Sequence, residues 1–243
     1  LLEHPGPWRI DAIAGAGIAP EILSILLARA GADTRVLLVR RPGRVDRRAP
    51  RSWILAGLDT DTITGLWRHD NDLLDAAAAL VGDSRGAALS QPVVLVCTHG
   101  VHDVCCALRG RPVAAALASR WPELVWECSH IGGDRFASNV VLLPDGFYYG
   151  NLDPESALTT VDAHLAGRVL PDRLRGMARF VPPVQAAVIA AHERYGKLPL
   201  ARCFRDAIRY AGEGHEPTER LARWISCAEA TAMRRSGDKR RWT

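Results

Sequence analysis

The 243-residue chain has no apolar run approaching the roughly 20 residues a helix needs to cross a bilayer. Its first residues, LLEHPGPWRI, lack the basic stretch, apolar core and small-residue cleavage site of a secretory signal, so the expected location is the cytoplasm. No glycine-rich phosphate loop occurs, which argues against a nucleotide cofactor. No C-x-x-C stands at a helix start, as a thioredoxin-type dithiol requires, and the two close cysteine pairs of a zinc ribbon are missing too. No pair of carboxylates stands out for work on a glycosidic bond. Net charge is modest as well. The formal net charge is +4, scattered between VRRPGRVDRRAPR at 39–51 and MRRSGDKRRW at 233–242. These runs lack aromatic interleaving and form no helical basic stripe, so no nucleic-acid partner is expected. They read as solvated loops or tails, or as a steering patch for an acidic protein.

What remains is ample for a core: 48% of the residues are hydrophobic, enough for one large domain or two small ones. APEILSILLARAG repeats Ile22, Leu23, Leu26 and Leu27 at helical spacing and stops at Gly31. TRVLLVRRP and RSWILAGL read as strands, and GLWRHDNDLLDAAAALVGD as a second helix with Asp70 or Asn71 as its cap. PVVLVCTH is a run of strand length, apolar enough to be buried on both faces. GRPVAAALASRWP follows as a helix with Pro112 in its first turn, then ELVWECSH as a strand. SNVVLLPDGFYYGNL reads as a hairpin turning at PDG, and DPESALTTVDAHLAG as a helix ending on Gly167.

The central order β-α-β-β-β-α is close to a thioredoxin-like layout. The fold class expected is therefore α/β. Residues 1–90 form an N-terminal α/β segment packed on the core, residues 91–168 the thioredoxin-like domain, and residues 169–243 a helical region. Within the last, PDRLRGMARFVPP onward reads as helical, with good amphipathic runs at 183–196, 203–212 and 218–235.

Of six cysteines, Cys97, Cys105, Cys106 and Cys128 fall in the central third, whereas Cys203 and Cys227 stand apart as ordinary thiols. In a reducing compartment such clustering points to metal or redox chemistry before structural disulfides. Ligands of parallel sheets gather beyond the carboxyl ends of strands, and Cys97 and Cys128 each end a strand. The two following loops, CTHGVHDVCC and CSHIGGDRF, would then meet at one rim. Taken singly, each residue has a plainer reading. Cys106 or Cys128 alone is more often a buried thiol, and His99, His102 and Asp103 read as loop and cap residues.

CTHGVHDVCCALRGRPVAAAL and WECSHIGGDRFASNVVLLPDGFYYG together resemble the sucrase/ferredoxin-like family of thioredoxin-fold proteins, which includes the fungal actin-patch-distal proteins. The resemblance runs from about Val93 to Gly167. It implies a [2Fe-2S] cluster held by a C-x8-C pair and by two histidines in H-x-G-G-H. The cysteines then correspond to Cys97 and Cys106 and the first histidine to His130, while Asp134 stands where the second histidine would be. A carboxylate can bind iron through oxygen, and the rival fourth ligand is Cys128, two residues before His130. Gly132 and Gly133 would let the backbone approach the cluster, and Arg135 would offset its negative charge or meet a partner. Imidazole ligation implies a higher potential than four thiolates give.

The expected function is thus one-electron transfer by a mixed Cys/His cluster, with an unidentified redox protein as partner, rather than conversion of a substrate. The alternatives are a metal-free thiol-disulfide oxidoreductase and a cluster-free or zinc-bearing structural module.

Overall fold

A computed structural model describes residues 1–178 except 32, 33, 45, 47, 59, 60 and 84, together with 180, 184, 185 and 189. The first ninety residues give β1 (Leu2–Glu3), α1 (Pro20–Ala30), β2 (Leu38–Arg40), β3 (Arg51–Leu55), β4 (Ile63–Trp67), α2 (Leu73–Ala79) and β5 (Ala87–Ala88). Pro20 opens α1, where its missing N–H has no intrahelical partner to lose, and Gly31 closes it at φ 63°. The stretch expected as one helix from Gly65 divides. Gly65, Leu66 and Trp67 complete β4, and α2 starts only after a 3-10 turn at Asp70–Asp72. Tertiary packing decides this: Gly65 pairs with Trp53, and an added Cβ there would overlap the buried indole.

The following residues give β6 (Val93–Cys97), α3 (Val104–Arg120), β7 (Val125–Cys128), β8 (Val140–Leu143), β9 (Phe147–Tyr149), α4 (Pro154–Leu165) and β10 (Leu174–Met177). β6 is buried at every position, lying parallel to β7 on one side and antiparallel to β8 on the other. β9 continues antiparallel beyond β8, so the order is β7-β6-β8-β9, while α3 packs on β6, β7 and α4. A parallel pair joined through a helix, followed by an antiparallel hairpin and a second helix beside the first, is the thioredoxin-like arrangement. Asp153 starts α4 as a capping box, its carboxylate accepting the Ser156 N–H at 2.9 Å while the Ser156 hydroxyl accepts the Asp153 N–H at 3.0 Å.

The N-terminal elements extend the same sheet. β2 runs antiparallel to β7 with Val39 opposite Cys128, and β1 lies between β2 and β3, giving among the described residues ten strands in the order β10-β9-β8-β6-β7-β2-β1-β3-β4-β5. Residues 171–177, expected as helical, instead form a 3-10 turn and β10, which pairs with β9 through a register shift between Leu174 and Gly176. Burial alternates along β10, the period of a strand. The helices expected at 183–196, 203–212 and 218–235 lie outside the described residues, except that 184, 185 and 189 are helical. Among the described residues no helix is long and apolar enough to cross a membrane.

α3 begins at Val104, not near Pro112, because Asp103 caps it by accepting the Cys105 N–H at 2.7 Å. Pro112 is left in the helix interior on its exposed side, where water can take the carbonyl bond that proline forfeits. The buried stripe is Cys106, Gly110, Val113, Ala114 and Leu117, at helical spacing. A Cβ added at Gly110 would overlap the carbonyl oxygen of Cys97, so α3 lies directly against the end of β6.

Gly110→Ala separates two effects of opposite sign. In an open helix interior the change stabilises by about 1 kcal/mol; against a fixed carbonyl, overpacking costs about 1–3 kcal/mol. Net destabilisation is expected, read as a lower urea midpoint, and a raised midpoint would mean that α3 does not touch β6.

Candidate metal centre

Cys97 is the last residue of β6, Cys106 lies in the first turn of α3, and His130 follows the end of β7. Because β6 and β7 are parallel with Cys97 opposite Cys128, both exit loops start from one edge of the sheet. The contact at Gly110 brings the start of α3 back over that edge. As a result the ligand atoms of Cys97, Cys106 and His130 lie within 4.8 Å of one another, a group able to hold a metal ion. Two thiols and an imidazole suit iron, zinc or copper rather than magnesium or calcium. His130 turns Nδ1 inward, 3.9 Å from the Cys106 sulfur and 3.3 Å from Asp134 Oδ1. The same carboxylate oxygen is 3.8 Å from Cys106 Sγ, so Asp134 stands at the rim of the group.

Cys128 sits beside Cys97 in the next strand, wholly buried in the apolar layer formed by Leu37, Val39 and Trp126, outside the three-residue group. Burial pushes its thiol well up. Cys105 is partly exposed and supplies the capped N–H. Arg135 is exposed with its guanidinium over the Phe136 ring, 4.7 Å from the centroid.

Cys97 and Cys106 share a proton. The Cys106 S–H donates to Cys97 and holds that thiol down at about 7, with the backbone N–H groups of His99 and Ile131 adding to the effect against burial. Cys106 is pushed up by the same bond and by burial. The first proton therefore leaves the pair near neutral pH and belongs to the pair rather than to either residue.

Gly132 and Gly133 take φ of 86° and 77° and turn the chain into the 3-10 turn Asp134–Phe136. They differ in role. Space around Gly132 is open, whereas a Cβ on Gly133 would overlap the Arg175 guanidinium. Asn139 Nδ2 donates to the Gly133 carbonyl at 2.9 Å, and Arg175 Nη1 donates to Asn139 Oδ1 at 2.7 Å, fixing the turn from behind.

Three residues hold His130 in place: His99 and His102, which the sequence puts at the same rim but which read as loop residues, and Arg35, which it does not connect with the site. Arg35 donates to the carbonyl oxygens of His130 at 2.9 Å and Ile131 at 3.1 Å. His99, only 2% exposed, accepts the His130 N–H on Nδ1 at 3.2 Å while Nε2 lies 2.8 Å from the carbonyl of Arg9. A carbonyl cannot donate, so Nε2 carries the proton and the ring is neutral, as its lowered pKa through burial requires. His102 stacks on His130 with centroids 3.8 Å apart. Partners this distant in sequence leave no local pattern; the only available hint was a density of histidines around the cysteines.

The family model described as sucrase/ferredoxin-like matches residues 34–176. No curated protein counts as a match. Among solved structures, the thioredoxin-like [2Fe-2S] ferredoxin from Aquifex aeolicus is similar at 20% identity, covering 39% of this chain and 97% of that one with a TM-score of 0.34. A cysteine-to-serine variant of the same ferredoxin is similar at 23% identity, over 35% of this chain and 99% of that one, with a TM-score of 0.32.

In the metal-free protein, ultraviolet thiolate absorbance is expected to rise with an apparent pKa of about 7. Cys106→Ala removes the donor, and the titration should move to higher pH. An unmoved titration in that variant would show that Cys106 does not stabilise the Cys97 thiolate.

Proposed function

The chain belongs to the sucrase/ferredoxin-like family, and on that premise we propose that it is an electron-transfer protein carrying a [2Fe-2S] cluster. The observation that carries the proposal is the approach of Cys97, Cys106 and His130 within 4.8 Å at the carboxyl ends of two parallel strands. The donor set fits: thiolate and imidazole both ligate such clusters, in all-cysteine and mixed Cys/His forms. Cys97 and Cys106 would hold it from β6 and α3, and His130 through Nδ1. Asp134 is proposed as the fourth ligand, because its Oδ1 already faces the same space as His130 Nδ1, at 3.3 Å. Cys128 is then a thiol beneath the site.

Such a cluster, when bound, takes up and returns one electron. The protein's own contribution is positioning and charge. N–H groups of His99 and Ile131 point at the Cys97 sulfur and stabilise its anionic form. Arg35 and His99 fix the backbone of His130, so the imidazole keeps its orientation. Cys106 must give up its proton to bind, so loading weakens as pH falls.

A second reading, thiol-disulfide exchange, draws on the lowered Cys97 thiol. Against it, Cys97 and Cys106 are 1% and 0% exposed, which denies a protein disulfide access to the attacking sulfur.

Anaerobically purified or reconstituted protein should be brown, contain iron and sulfide in equal amounts and give an electron paramagnetic resonance signal on reduction. A colourless, iron-free product after reconstitution overturns the proposal. Given a cluster, Asp134→Ala should alter the visible and paramagnetic spectra strongly and Cys128→Ser should leave them nearly unchanged; the reverse pattern would make Cys128 the ligand.

A further inference from the structure

Isolated exposed apolar side chains are ordinary, whereas several around one site are not. Four large ones stand on segments that build this site: Ile10 at 65% exposed, Val101 at 62%, Val104 at 61% and Leu108 at 70%. Val101 and Val104 bracket His102, and Leu108 lies one helical turn beyond Val104. Ile10 follows Arg9, whose carbonyl meets His99 at 2.8 Å. His102 is exposed among them and carries its ring onto His130.

The charges on these segments are unbalanced. Arg9, Arg111 and Arg135 are exposed and make no ion pair among the described residues, and Arg109 spends one N–H on the Ala137 carbonyl at 3.3 Å. Arg109 included, four arginines stand against three carboxylates, which keep their charge but are each turned to a partner in the chain. Asp11 accepts the Ala14 N–H at 3.0 Å, Asp103 the Cys105 N–H at 2.7 Å, and Asp134 faces His130. An apolar centre on segments that also carry guanidinium groups without ion pairs is complementary to an apolar patch bordered by carboxylates.

From this we infer that the face around His102 docks a protein with an acidic contact surface, Val101, Val104 and Leu108 forming the buried centre and Arg9, Arg111 and Arg135 the rim. The inference rests on the electron-carrier reading in one respect: that reading makes the acidic protein the redox partner, brought against His102, whose ring stacks on a candidate ligand. Rim charges act chiefly on association rate and its salt dependence, and the apolar centre on residence time.

Two small cytochromes serve as probes, one acidic and one basic, with affinity read from their own haem absorbance so that the readout does not depend on a cluster in this chain. The acidic probe should bind, more weakly as salt is raised, and the basic probe should not. Arg111→Glu combined with Arg135→Glu, and separately Leu108→Asp, should each weaken binding about tenfold or more. Leu66→Asp, at an equally exposed position on β4, should leave it unchanged. Preference for the basic probe, salt-independent binding, or equal loss in Leu66→Asp overturns the inference. An iron-free chain that still binds the acidic probe through these residues refutes the electron-carrier reading and supports the docking face. An iron-bearing chain that ignores the acidic probe overturns the docking face alone.

Discussion

Everything at the site hangs on one steric fact, the contact of Gly110 with the carbonyl of Cys97. Only a residue without a side chain lets a helix rest on the last peptide of a strand. Once α3 lies there, Cys106 is one turn earlier on the same buried stripe and must stand over the end of β6. The eight residues between the cysteines are the length of a loop that leaves the strand, turns at Gly100 and returns capped by Asp103. Spacing, cap and glycine are three expressions of one packing geometry.

The second half of the site is held from outside the thioredoxin-like unit. Arg35 grips the carbonyls of His130 and Ile131 from 95 and 96 residues away, and the carbonyl of Arg9 fixes the tautomer of His99. The seam between β2 and β7 is secured by Glu127, 9% exposed, paired with Arg40 at 2.6 Å and accepting the Thr98 hydroxyl at 3.1 Å. Glu127 is the buried member and the Arg40 side chain stays 21% exposed, so removing Arg40, which leaves the carboxylate uncompensated, costs more than removing Glu127. The N-terminal segment thus bears on the candidate site, since Arg35 grips the backbone at His130 and the Arg9 carbonyl orients the His99 ring that His130 leans on.

The elements most legible in the sequence were those whose signals are local. β6 is apolar throughout, α4 carries Asp153, Pro154 and Gly167 in their places, and Cys97, Cys106 and His130 follow from strand ends and spacing together with the family resemblance. β4 was missed because GLWRH reads as the approach to a helix capped at Asp70 or Asn71, whereas Gly65, Leu66 and Trp67 are strand by pairing with β3 across the Trp53 indole. The start of α3 was misplaced because Pro112 is a strong signal, but the Asp103 cap acts first and the exposed side of the helix tolerates the proline. β10 was missed because a four-residue strand containing glycine has little pattern of its own and exists by pairing with β9. Arg35 has no local signature at all, and His99 only its place two residues after Cys97: their importance comes from partners 95 and 31 residues away.

Among the described residues, the order of the ten strands leaves two margins, β5 and β10. A sheet margin offers unpaired peptide groups to any passing chain, and long flat margins seed aggregation. β5 is two residues long, and β10 is broken by a register shift and by Gly176 at φ 146°. Neither is a long flat template for a further strand, so the irregularity of these two margins is a form of colloidal protection, keeping a broad sheet from growing into its neighbours.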